Sequence, residues 1–377
     1  MTSTEQNAGE GSKEAVATTQ AMFEHVQDLK LPIGSISPLS VNLSVSYLET
    51  RNITYAAVVQ HSTVFVVHWD VKTETYGWDQ IPILDMNTDK PIKVLQTVLV
   101  HPNSRSLPIV VVCTILGVQL YDIKTQRLMY QCSVENGSQF KGQRGEWDLW
   151  TRGVTCNDNA ILVGTYSGEI IMLMSNGESS ISMKKNLREH KDPVADLGTC
   201  KYDEITCSAT VRGDVVVWQK PVKGVQFKIQ TNQPINVINV LRKQVIIGTL
   251  RGRVLLYSIV TAQFMCQVDA HARAVTSISV APESAYVLSS GEDCRFIVYK
   301  LHTRKPHAYE MEYRYSRNLD NSLICGAQFA NGRGSSILVS CYDKHELAMY
   351  KIMKKSTSNQ NKDNANATAN ANNGTNA

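Results

Sequence analysis

Short apolar runs recur along most of this chain, each broken by Gly, Asn, Asp, Ser or Pro. The clearest case is 270–301, AHARAVTSISVAPESAYVLSSGEDCRFIVYKL. Apolar runs at 274–280, 286–290 and 296–301 carry Val, Ile, Leu and Tyr, which fill a pleated surface. Pro282, Glu283 and Ser284 separate the first from the second, and Gly291, Glu292 and Asp293 the second from the third. The pattern predicts an antiparallel meander with tight turns.

The same unit repeats in both directions. Strands are predicted at 43–48, 53–59, 63–69 and 76–83, then at 94–100, 109–115, 118–123 and 127–134. Further sets fall at 150–156, 160–166, 169–174 and 181–187, and at 194–200, 205–210, 214–218 and 225–229. The next sets are 235–241, 245–250, 253–259 and 264–268, then the stretch above with 307–315. A last set has only three strands, at 323–329, 337–341 and 346–352. Gly168, Gly213, Gly252 and Cys294 hold one register at spacings of 45, 39 and 42, the period of a four-stranded propeller blade. Six full units and an incomplete seventh predict an all-β, seven-bladed β-propeller. The missing strand is expected from the N-terminus, near 29–33, because closure removes the exposed edges of an open array.

The polar residues around the clearest unit carry a resemblance. His271 precedes its first strand, Ser289 lies in the second, Asp293 in the following turn, and Tyr299 closes the third. These positions resemble the WD-repeat signature, with Tyr299 in place of Trp. The resemblance implies a structural relay in which the carboxylate holds the imidazole and the hydroxyl links it to the ring donor. Other units depart from it. Arg212 stands at the Asp position after His190 and Ser208, Arg251 takes that place in the fifth unit, and Ser167 in the third. Those units are expected to rest on apolar packing and to be locally less stable.

Residues 269–275 (DAHARAV), 288–293 (LSSGED), 324–329 (ICGAQF) and 52–59 (NITYAAVV) resemble the WD repeat-containing protein 54 family. The resemblance covers 41–352 and implies a non-enzymatic propeller that acts through protein contacts and self-associates.

Composition narrows the alternatives. At 377 residues with 43% hydrophobic content the chain can fill one large β domain. Residues 1–25 and the Asn/Ala-rich tail at 354–377 are too polar to bury a core and are expected to be disordered, leaving 26–353 for the propeller. A net charge of +4 with 7% aromatics gives no nucleic-acid signature. The nine cysteines lack a CxxC pair, so reduced thiols in a cytoplasmic protein are expected, with no metal and no cofactor. No P-loop, HExxH or GxSxG motif is present, and Ser182 to Lys185 fits SxxK only on a predicted strand, so no catalytic residue is assigned.

Recognition is the function this pattern supports. The d–a and b–c loops of a propeller open on one face, here called the top. That face collects Lys191, Arg212, Arg251, Arg253 and Arg273, a basic rim suited to acidic segments of other proteins. The long connection at 135–148 adds Phe140, Arg144 and Trp147 on the same face. The alternative is a phosphoinositide-binding propeller recruited to vesicles or membranes. Leu250-Arg251-Gly252-Arg253 carries one Arg before its Gly where such proteins carry two, so membrane association is expected to be at most indirect.

Overall fold

The computed structural model describes residues 22–353 except 33, 71, 74, 135–145, 303 and 305–308. Among the described residues, strands β1 to β28 in chain order form seven four-stranded antiparallel sheets. Six sheets are sequential meanders, spanning 44–82, 94–132, 151–187, 194–230, 235–269 and 275–318. The seventh has the order β1-β28-β27-β26, with β1 at Phe23–Lys30, β26 at Ile324–Phe329, β27 at Ser336–Cys341 and β28 at Glu346–Ile352. The seven-bladed ring closed by an N-terminal strand is therefore present.

Two strands differ from the sequence expectation by more than two residues at an end. The closing strand is Phe23–Lys30 and not 29–33, so residues 23–25 belong to the sheet. The outer strand of blade six is Met311–Asn318, beginning later than 307. Residues 1–21 and 354–377, expected to be disordered, lie outside the described residues.

Burial follows strand position. In blade two every residue of Ile109–Thr114 is buried, because this strand is covered on both faces by neighbouring blades. Outer strands such as Phe264–Asp269 keep one face in water. The apolar core is divided among the gaps between blades: Cys207, Val215 and Val217 of blade four pack with Ile238, Val245 and Ile247 of blade five. Each such side chain contributes about 1.5–3 kcal/mol on burial.

The turns explain the register seen in the sequence. Gly117, Gly168, Gly213 and Gly252 all have positive φ, and Cys294 holds the same left-handed turn at φ 63°. Each of these glycines stands three residues after a buried Thr: Thr114, Thr165, Thr210 and Thr249. The threonine hydroxyls accept backbone amides across the turn, from Leu116, Glu169, Asp214 and Arg253 respectively.

A second set of polar contacts joins the blades. The inner strands are β2 (Ser44–Leu48), β6 (Val94–Val100), β10 (Thr151–Asn157), β14 (Val194–Cys200), β18 (Ile235–Leu241), β22 (Val275–Ala281) and β26. Ser44 accepts the amide of Leu99, Gln96 that of Gly153, and Asp196 that of Ile238. Thr155 bonds Thr199, and Asn239 donates to the carbonyl of Ile278. Ser277 accepts the amide of Ala327, and Gln328 that of Val45. A side chain thus links every inner strand to the next around the whole ring.

The connection from β1 to β2 crosses the top mouth of the central channel. Ser37 bonds Val59 of blade one, Ser40 receives Asn236 of blade five, Val41 bonds Thr276 of blade six, and Asn42 bonds Cys325 of blade seven. Below it the channel widens into a chamber of about 1200 Å³ lined by Gln96, Thr155, Asp196, Asn239 and Gln328.

Candidate functional site

The relay of blade six is formed. His271 Nδ1 lies 2.9 Å from Asp293 Oδ1 and its Nε2 2.9 Å from Ser289 Oγ, while Asp293 Oδ2 accepts the amide of Ala272. Tyr299 hydrogen-bonds Ser289, and burial pushes its phenol up to about 12, so it stays a neutral donor. The donors therefore run Tyr299 to Ser289 to His271 to Asp293. Burial alone would raise Asp293, but the hydrogen bonds from His271 and the Ala272 amide hold it below the ordinary carboxylate value. His271 is enclosed, so the set acts as a lock that ties the b–c turn to the d–a loop.

Blade four has the same chain with its last link missing. Trp218 donates to Ser208 at 2.9 Å, and Ser208 lies 2.6 Å from His190 Nε2. His190 Nδ1 is buried with no partner among the described residues. Arg212, standing where blade six has Asp293, points outward at 77% exposure and pairs with Asp192 at 2.8 Å. Burial, reinforced by Lys228, drives His190 down to about 4. Blade three holds its turn differently, through the buried Glu169 paired with Arg188 at 2.9 Å. Blade three thus lacks the relay but adds to its apolar packing a buried carboxylate pair that the WD-repeat pattern does not contain.

The remaining predicted residues divide into four groups. Lys191, Arg251 and Arg273 are exposed on top-face loops of blades four to six. Arg212 and Arg253 share that face but are engaged, Arg253 with Asp269 at 3.1 Å and with Gln233. Phe140 and Arg144 lie outside the described residues. Trp147, on a short 3₁₀ turn at Glu146–Leu149, is 53% exposed and meets Trp150 edge-on at 4.5 Å. Sequence reasoning missed Leu116, Tyr166, Leu250 and Tyr342, large apolar side chains exposed on b–c turns of the same face. Their signal was position: each lies beside a turn residue rather than inside a strand.

The WDR54 family model matches residues 22–353, the whole described span. The chain belongs to the WDR54 family. It is 26% identical to human WD repeat-containing protein 54 over 332 residues, covering 84% of this chain and 96% of the relative. It is also 26% identical to WD repeat domain 54 of Rattus norvegicus, covering 87% and 99%. Among solved structures, a chain of the mitotic checkpoint complex superposes with a TM-score of 0.67 over 94% of this chain and 99% of the other, at 15% identity, a likeness of fold. WD-repeat propellers of this kind are generally protein-interaction scaffolds and typically non-enzymatic.

In this WDR54-family ring the top face also holds a cavity of about 300 Å³ between the crossing segment and blades two to four. Leu39, Leu95, Trp150, Tyr166, Val194 and Val211 line it. Arg152 stands in the same wall and donates to Asn236 at 2.8 Å, which in turn holds Ser40, so the cavity roof is braced across the channel. Asp196, buried in the wall of the central chamber, is raised to about 7 by burial despite two amides and Arg152. It links blade four to blade five. Among the described residues no His, Cys, Asp and Glu cluster has the arrangement of a metal site.

Proposed function

We propose that this WDR54-family propeller is a non-enzymatic interaction scaffold that engages acidic segments of other proteins, and copies of itself, through its top face. One observation carries the reading: exposed apolar side chains and basic side chains share the same turns. Leu250 and Arg251 are adjacent and both exposed, Tyr166 and Trp147 flank blade three, and Lys191 and Arg273 stand on the neighbouring loops. Aromatic and apolar anchors ringed by one sign of charge give contact area and electrostatic selection together. The reading places the protein in the cytoplasm, with membrane contact made through partners.

Proximity labelling in cells, comparing the native chain with Arg251→Glu and Arg273→Glu combined, tests it. Loss of the main labelled partners from the charge-reversed chain is expected. An unchanged partner set would sink the reading. Flotation with phosphoinositide-containing liposomes separates the membrane alternative, for which the turn at Arg251 supplies one Arg before Gly252 and not two.

A further inference from the structure

Resting on the top-face reading, the geometry points to a defined anchor site within it. We propose that the cavity between the crossing segment and blades two to four takes one bulky apolar side chain from an extended acidic segment of a partner protein. Its volume, about 300 Å³, lies at the small end of ligand cavities and suits side chains rather than a whole cofactor. Leu39, Leu95, Val194 and Val211 make the walls apolar.

Trp150 adds its ring to the apolar lining. The outer lip is aromatic: Trp147 stacks edge-on against Trp150, and Tyr166 lies 6.0 Å from Trp150 with 44% of its surface free.

Charge fixes the flanks of the segment. Val211 in the wall is followed directly by Arg212, and Pro193 is preceded by Lys191 and Asp192. Arg212 is well exposed beside a part-buried Asp192, and surface pairs of this kind hold only weakly, so Arg212 can turn to a carboxylate of the partner. Lys191, Arg251 and Arg273 extend the positive border toward blades five and six. A free phosphate or lipid headgroup would find the cations on this rim but nothing for the apolar floor.

A phage-displayed library of random twelve-residue peptides, panned on the full chain, tests the site. Enriched peptides should combine net negative charge with one Phe, Leu, Ile or Trp, and should quench or shift tryptophan emission on binding. Val211→Glu should weaken them at least about tenfold, the range of one buried anchor contact. Tyr166→Ala, at a position 44% exposed on the b–c turn, should weaken them several-fold, so a misfolded Val211→Glu would not leave the site unjudged. Peptides that bind Tyr166→Ala and folded Val211→Glu as well as the native chain overturn the anchor site. If those same peptides are lost with Arg251→Glu and Arg273→Glu, the basic-rim reading survives without the cavity. Enrichment that appears only after residues 137–145 are deleted would assign the cavity to the chain's own insertion and likewise overturn the proposal, as would no enrichment at all.

Discussion

The side-chain oxygen of Gln328 accepts the backbone amide of Val45 at 2.8 Å, joining residues 283 positions apart. It is the last of the links that run from inner strand to inner strand, and it lies at the junction of the first and seventh blades. Gln328→Ala removes the acceptor of this part-buried amide. The expected loss is about 1–2 kcal/mol, read as a lower urea midpoint at unchanged slope. An unmoved midpoint would mean that the β1–β28 pairing seals this junction unaided.

Blade four can be given the missing link of its relay. Arg212→Asp combined with Asp192→Arg reproduces the order found in blade six, where Asp293 faces His271 and Arg273 stands two residues after it. In the native chain His190 is lowered from 6.5 to about 4, so the unfolded chain takes up its proton first as pH falls. That contribution to stability is present above pH 6.5 and lost toward pH 4. The double exchange should add about 1–2 kcal/mol at neutral pH and flatten this acid limb in melting curves. A native-like acid limb would show that no carboxylate reaches Nδ1.

Asp196 predicts the opposite slope. Its carboxyl is raised from 3.8 to about 7, so the folded chain keeps a proton that the unfolded chain has released. Stability from this group is present below about pH 4 and declines as pH rises toward 7, by up to about 1.4 kcal/mol per pH unit. Asp196→Asn should remove that decline. Chemical denaturation at several pH values between 4 and 8 would settle it, and an identical profile in the variant would refute the assignment.

Gly252 is the tightest of the turns. Its φ is +79°, and a Cβ there would collide with the carbonyl oxygen of His271. Gly252→Ala should therefore cost more than the roughly 1 kcal/mol of a left-handed alanine, and should speed hydrogen exchange at His271, whose amide bonds the Gly252 carbonyl. Unchanged exchange there would count against the coupling of these two loops.

Most of the fold was legible because strand alternation and the left-handed turns repeat together. Gly168, Gly213, Gly252 and Cys294 share a backbone conformation as well as a spacing. The closing strand was misplaced because only Phe23 and Leu29 of β1 are buried; Glu24, His25 and Val26 are exposed, leaving no local period. Its position is dictated by β28, far away in sequence. The links between blades were hidden for the same reason: Gln96, Asp196 and Gln328 read as interruptions of apolar strands until the neighbouring strand supplies their partners. On the top face the charges were legible, but the commitment of Arg253 to Asp269 and the cavity beneath Trp150 depend on which loops meet.

The pairing of Phe23–Lys30 with Glu346–Ile352 sets an order of events during synthesis. β1 is made before the six sequential sheets and is completed only by β28, so the growing chain must carry Phe23 and Leu29 without their final shelter while those sheets assemble. Ring formation is then a late, long-range step of high contact order, slow relative to the blades themselves. Until it occurs, the nascent protein displays two sticky sheet margins at once.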